Sequence, residues 1–148
     1  MPNMPSRRLT LALLLTLPVA LLPACGRNDP QAALEATVQQ LQDHLEARDA
    51  AAVLALLDEQ FRAQDDLDRE WARRTMGLLF MRYANVKVVA LSRSSRIDPK
   101  AAHVAHTEAQ VLLSGAQELI PDRVTPYAVK LEWRHDGKRW KLFSLAWQ

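Results

Sequence analysis

The chain has one cysteine, Cys25, so no internal disulfide can form and the fold must be held by packing. It has no apolar run of the about 20 residues that a helix needs to cross a bilayer. The longest such run, residues 9–22, is almost unbroken but stops at 14 residues. There is no block of like charge, and no basic run interleaved with aromatics, which argues against a nucleic-acid partner. His44, His103, His106 and His135 show no zinc-ligand spacing. The acidic stretch Asp65-Asp66-Leu67-Asp68 lacks the glycine and distal glutamate of a calcium loop, so neither a metal nor a cofactor is expected. Ser92, Ser94 and Ser95 lack the context of a nucleophile elbow. No Pro- or Gly-rich linker splits the chain into two domains.

What is present begins with a leader. Residues 1–8 carry Arg7 and Arg8 and no acid, and with the short apolar run they read as a secretory signal. The run ends at Leu22-Pro23-Ala24-Cys25, which resembles the lipobox of bacterial lipoproteins: Leu22 three places before the cysteine, small Ala24 just before it. Pro23 departs from the small or β-branched residue usual there. The resemblance implies a diacylglyceryl thioether on Cys25, cleavage before it, acylation of the new amine, and a domain held to the membrane by lipid. Each buried methylene contributes about 0.8 kcal/mol, so stable attachment takes more than one chain. Gly26 in place of Asp implies the outer membrane of the envelope, facing the periplasm. The alternative is an uncleaved anchor, or an ordinary signal cut after Ala24 that leaves Cys25 a free thiol. The division is a signal peptide at 1–24, a lipidated tether at 25–30 and a domain at 31–148.

Taking residues 1–24 from 148 leaves 124, enough for one core. Arg7 and Arg8 are the leader's only charges, so the remainder carries 17 basic and 17 acidic side chains and is formally neutral. Asp29-Pro30 reads as a helix start, and Leu34, Val38, Leu41 and Leu45 form one apolar stripe over residues 30–48. Asp49 caps a second, well-buried helix over 50–60, with Phe61 beyond it. The acids at 65–68 suit the start of a third helix. Its buried side is Leu67, Trp71, Thr75, Leu78 and Leu79, ending near Tyr83.

From Asn85 the texture becomes alternating and β-branched. Strands are expected at 86–97, 101–113 and 125–135, with a turn at Asp98-Pro99-Lys100, a break at Ser114-Gly115 and a loop through Pro121. In the second strand Ala102, Val104, His106, Glu108, Gln110 and Leu112 share the face read as inward. Asp136-Gly137 predicts a two-residue hairpin turn, pairing Trp133 with Trp140, Glu132 with Lys141 and Leu131 with Leu142. Tyr127, Val129, Leu131, Trp133, Trp140 and Leu142 then turn to the helices. Phe143, Leu145 and Trp147 are left on the outer face, as a partner surface for a homodimer or an envelope protein.

Three helices followed by an antiparallel sheet make an α+β arrangement. The stretch Glu46-Ala47-Arg48-Asp49-Ala50-Ala51-Ala52-Val53-Leu54-Ala55-Leu56-Leu57, with Phe61 beyond, resembles the early helix pair of the nuclear transport factor 2-like (NTF2-like) superfamily. Asp136-Gly137-Lys138-Arg139-Trp140-Lys141-Leu142 resembles its closing hairpin. The resemblance implies a cone, N-terminal helices on a curved sheet, often with a cavity and often dimeric. It implies no activity, since that fold hosts enzymes and binding modules alike. The expected function is a lipid-anchored domain that binds a protein partner or small apolar ligand; the alternative is a cavity enzyme with isomerase- or cyclase-like acid–base chemistry. Candidate catalytic residues are His106, Glu108 and Asp58, and candidate ligand residues at the rim are Tyr83 and Tyr127. Replacement Cys25→Ala in the full chain should block fatty-acid labelling and leave the leader uncut; normal labelling of that variant would contradict the lipoprotein reading.

Overall fold

Asp29 begins the described structure as a cap: its carboxylate accepts from the Gln31 N–H at 2.9 Å, and Pro30 opens helix α1, Pro30–Glu46. The computed structural model describes residues 29–115, 118–119 and 126–148; Leu22-Pro23-Ala24-Cys25 and most of the tether lie outside them. Leu34 and Val38 are buried and Leu41 and Leu45 pack beside them, as the stripe predicts. Arg48, at φ +55°, closes the helix in a left-handed turn, and Asp49 caps α2, Ala50–Leu56.

The second helix is shorter than its apolar pattern predicts. At Leu57 the chain extends into β1, Leu57–Ala63, which pairs parallel with the last strand. The reason lies in the alternation of Leu57, Phe61 and Ala63, which sit buried while the residues between face out. Helix α3 follows, Arg69–Arg82, capped by Asp68. Then come β2, Val86–Asp98; β3, Ala101–Gly115; the short β4, Glu118–Leu119; β5, Tyr127–His135; and β6, Trp140–Trp147. The sheet runs β1-β6-β5-β3-β2, with β4 on β3, and all pairings but that of β1 are antiparallel.

One edge of this sheet is β2, and α1 lies along it. Gln31 donates to the Ser95 carbonyl and Gln42 to the Val88 carbonyl, each at 2.9 Å, while Glu46 accepts from the Val88 N–H at 3.0 Å. Side chains thus occupy backbone groups that an open edge would offer to another strand. The Val88 N–H holds the Glu46 carboxyl below its ordinary pKa, with help from Gln42 and Lys87. The folded pKa is depressed, so this contribution is present above the unfolded pKa and is lost as pH falls through the folded one.

Two expectations about the sheet change. The hairpin closes with a four-residue loop: His135 pairs with Trp140, and the Asp136 carboxylate accepts from the N–H groups of Lys138 and Arg139. Gly137, at φ +94°, supplies the positive φ this loop needs. Trp133 therefore faces Leu142 rather than Trp140. Further along, Glu132 pairs with Ser144, so Phe143 is an extra residue in β6, a β-bulge. That one residue reverses the alternation. Leu145 and Trp147 turn inward, opposite Leu131 and Val129, and do not form an outer strip with Phe143. Phe143 itself lies under the Arg134 guanidinium, 3.3 Å from its ring centroid.

Trp133, fully buried, is the centre of the core and donates its indole N–H to Thr107 Oγ1 at 3.0 Å; the Thr107 hydroxyl also shares a 2.8 Å hydrogen bond with Ser95. Thr107→Val keeps the volume but strands that indole donor, which costs about 1–3 kcal/mol. Urea unfolding should show a lower midpoint at an unchanged slope, slope times midpoint shift giving that loss. A midpoint equal to the parent's would mean that Trp133 is held by packing alone.

Candidate functional site

The inward face of the sheet is built in rows across the strands. Ser95, Thr107, Leu131 and Leu145 make one row; Arg93, Ala109, Val129 and Trp147 the next; Ala90, Val111 and Tyr127 the third; Val88 and Leu113 the last. From Thr107 to Leu113 these rows extend about 20 Å at about 3.3 Å per residue. Ala90 and Ala109 are too small to reach the helices opposite. The space they leave is a cavity of about 480 Å³, open on one side, roofed by α1 and by Trp71, Ala72, Thr75, Met76 and Leu79 of α3. Val53, Leu57 and Phe61 close the end beside α2 and β1. Trp147 stacks on Trp71, with ring centroids 6.1 Å apart and planes 16° from parallel, and so ties the sheet to α3.

Among the described residues the lining contains no Asp, Glu or His. Its few polar groups are mostly committed elsewhere: Thr107 to Trp133 and Ser95, Gln42 to the β2 backbone. Arg93 is the one charged lining residue, and its guanidinium turns to α1, donating to Gln39 at 3.2 Å and lying 3.9 Å from Glu35. Thr75 and Tyr127 complete the polar set. Such a lining suits an apolar body.

The candidates from the sequence fall in different places. His106 and Glu108 lie on the opposite face of β3, because Ala105, Thr107, Ala109, Val111 and Leu113 are the residues that turn in. The physical reason is polarity: His106, Glu108 and Gln110 go to the open side, where Glu108 lies 3.9 Å from Arg96 and opposite Lys130. Asp58 stands in β1, outside the cavity, and its carboxylate accepts from the Gln60 N–H at 2.8 Å. Tyr127 lines the cavity. Tyr83 does not; it closes α3 with the Arg82 guanidinium 5.6 Å from its ring. Leu78, expected on the buried side of α3, is 68 % exposed. Trp147 was hidden from pattern reading by the bulge, whereas Trp71 stands on the helical stripe that the sequence shows. Among the described residues no three His, Cys, Asp or Glu side chains meet where they could hold a metal ion.

No protein-family model and no curated protein sequence matches the chain. Solved structures do. Bd1075 of Bdellovibrio bacteriovorus superposes with a TM-score of 0.66 at 13% identity over 77% of this chain, which spans only 38% of that protein. An NTF2-like protein of unknown function from Pseudomonas putida gives 0.63 at 8% identity, covering 80% of this chain and 84% of the other. A hexachlorocyclohexane dehydrochlorinase from Novosphingobium barchaimii gives 0.59 at 13% identity, covering 79% and 84%. At such identities the likeness carries the fold and no activity. The described domain is an α+β cone of the NTF2-like kind, helices packed on a curved mixed sheet.

Proposed function

We propose that the chain is a lipid-anchored envelope protein, attached through Cys25, whose cone holds a small apolar ligand. The observation that carries the ligand reading is the open cavity of about 480 Å³, which lies in the size range of small-molecule sites and is lined almost wholly by apolar side chains. The anchor reading rests on Leu22-Pro23-Ala24-Cys25 and the leader before it. The enzymatic alternative drew on His106, Glu108 and Asp58; none of the three lines the cavity, so the proposal is binding without chemistry. Leu145 and Trp147 serve the cavity wall in this reading rather than an outer dimer face.

The described core lies wholly between Leu34 and Trp147, so the chain from Arg27 onward contains the folding unit and can be tested without lipid. Titration with the uncharged dye N-phenyl-naphthylamine should give saturable one-to-one binding in the micromolar range, roughly 8 kcal/mol. Ala109→Phe places a ring in the cavity and should weaken the dye at least about tenfold. In a filled core such an insertion costs about 1–3 kcal/mol; here the urea midpoint should move less. Absence of saturable binding would remove the ligand reading, and unchanged affinity in Ala109→Phe would place the dye elsewhere.

A further inference from the structure

The large apolar side chains most exposed among the described residues, Leu78, Leu79, Met81, Val89 and Leu91, all fall within residues 71–97. The same stretch contains Arg73, Arg74, Arg82, Lys87, Arg93 and Arg96, and no Asp or Glu at all. The chain after the leader is formally neutral, so this is segregation of charge rather than general basicity. Acids from other positions answer part of it: Glu70 holds Arg73 at 2.6 Å, Glu46 lies 3.5 Å from Lys87, Glu35 3.9 Å from Arg93 and Glu108 3.9 Å from Arg96. Arg74, at 3.8 Å, has to share Glu70 with Arg73, and Arg82 rests on the Tyr83 ring.

Helix α3 sorts these residues by face. Trp71, Ala72, Thr75, Met76 and Leu79 roof the cavity. Arg74, Leu78, Met81 and Arg82 recur at helical spacing on another side, with Leu78 68% and Met81 84% exposed. Cation, two long apolar side chains and cation in one stripe is what a helix lying in a membrane interface presents. Leu79 stands between the two faces of α3, lining the cavity and still 41% exposed, whereas Val89, paired with Leu112, lies on the far face of the sheet.

We propose that the outward stripe of α3 rests on an anionic lipid bilayer. Leu78 and Met81 enter the interface, and Arg74 and Arg82 meet lipid phosphates. This surface stands whether or not the cavity binds a ligand. The proposed tether fits it: the five steps from Cys25 to Pro30 reach at most about 18 Å, and α1 is about 25 Å long. Arg48, just beyond the end of α1, donates to the carbonyls of Phe80 and Tyr83 at the end of α3. With α1 lying along the membrane plane, tether and stripe reach the same surface.

The test is cosedimentation of the chain from Arg27 onward with vesicles of phosphatidylglycerol and phosphatidylcholine mixed, against phosphatidylcholine alone. The mixed vesicles should bind at least about tenfold more tightly, with affinity falling as salt is raised. Leu78→Ser with Met81→Ser, and separately Arg74→Glu with Arg82→Glu, should each reduce binding about tenfold or more. Lys138→Glu with Arg139→Glu makes the same charge change in the hairpin loop and should leave binding within about twofold. Equal loss in the hairpin variant would show unspecific attraction and overturn the proposal. No vesicle binding by the parent would also overturn it. So would a concentration-dependent dimer, without vesicle binding, that Leu78→Ser with Met81→Ser dissolves, because the occupant would then be a second copy.

Discussion

The extra residue in β6 decides the inside of this molecule. Without the bulge at Phe143, strict alternation would send Leu145 and Trp147 to the solvent side of the sheet and leave the small Ser144 and Ala146 facing inward. With it, both apolar side chains line the cone, and Trp147 reaches Trp71. A bulge costs a ladder position and adds local twist; here that is offset by moving Leu145 and Trp147 part of the way out of water, each contributing less than the about 1.5–3 kcal/mol of a fully buried side chain. The cavity depends on the same event, since Trp147 is part of its wall.

The second constraint is the smallness of the middle of the sheet. Ala105, Thr107 and Ala109 turn inward from β3. At one end Trp133, Trp140 and Phe61 fill the space over such small residues, and the packing is dense. Toward Leu113 the described inward residues are the smaller Val88, Ala90 and Val111, and α3 bridges the gap like a roof rather than filling it. The thinly packed helix, the cavity beneath it and the apolar residues left outside on α3 are consequences of one distribution of side-chain size.

Much of this was legible in the residues. The caps at Asp29, Asp49 and Asp68 and the stripe of Leu34, Val38, Leu41 and Leu45 are local signals, and local hydrogen bonds and helical period decide them. The α+β class followed from the order of such segments. The losses came where tertiary pairing overrides local pattern. Ala50 to Gln60 has helical composition, but the partner strand β6 draws Leu57 onward into β1. Alternation gives the two faces of β3 without saying which is inside, and His106 and Glu108 lie on the outer one. A bulge leaves no mark in composition: Phe143-Ser144-Leu145 reads as ordinary strand, and the inner position of Trp147 follows only from its pairing with Val129.

In the proposed function an apolar molecule sits between α3 and the inward rows of the sheet. The most direct measurement is the set of intermolecular NOEs between bound N-phenyl-naphthylamine and the methyl groups of the chain from Arg27 onward. The account predicts contacts to Val111, Leu113, Val129 and Leu131, all on cavity-lining positions, and none to Val104 or Leu112 on the opposite face of β3. Contacts confined to Leu78, Val89 and Leu91, with the inner methyls silent, would contradict it: the dye would then sit on the surface and not in the cavity.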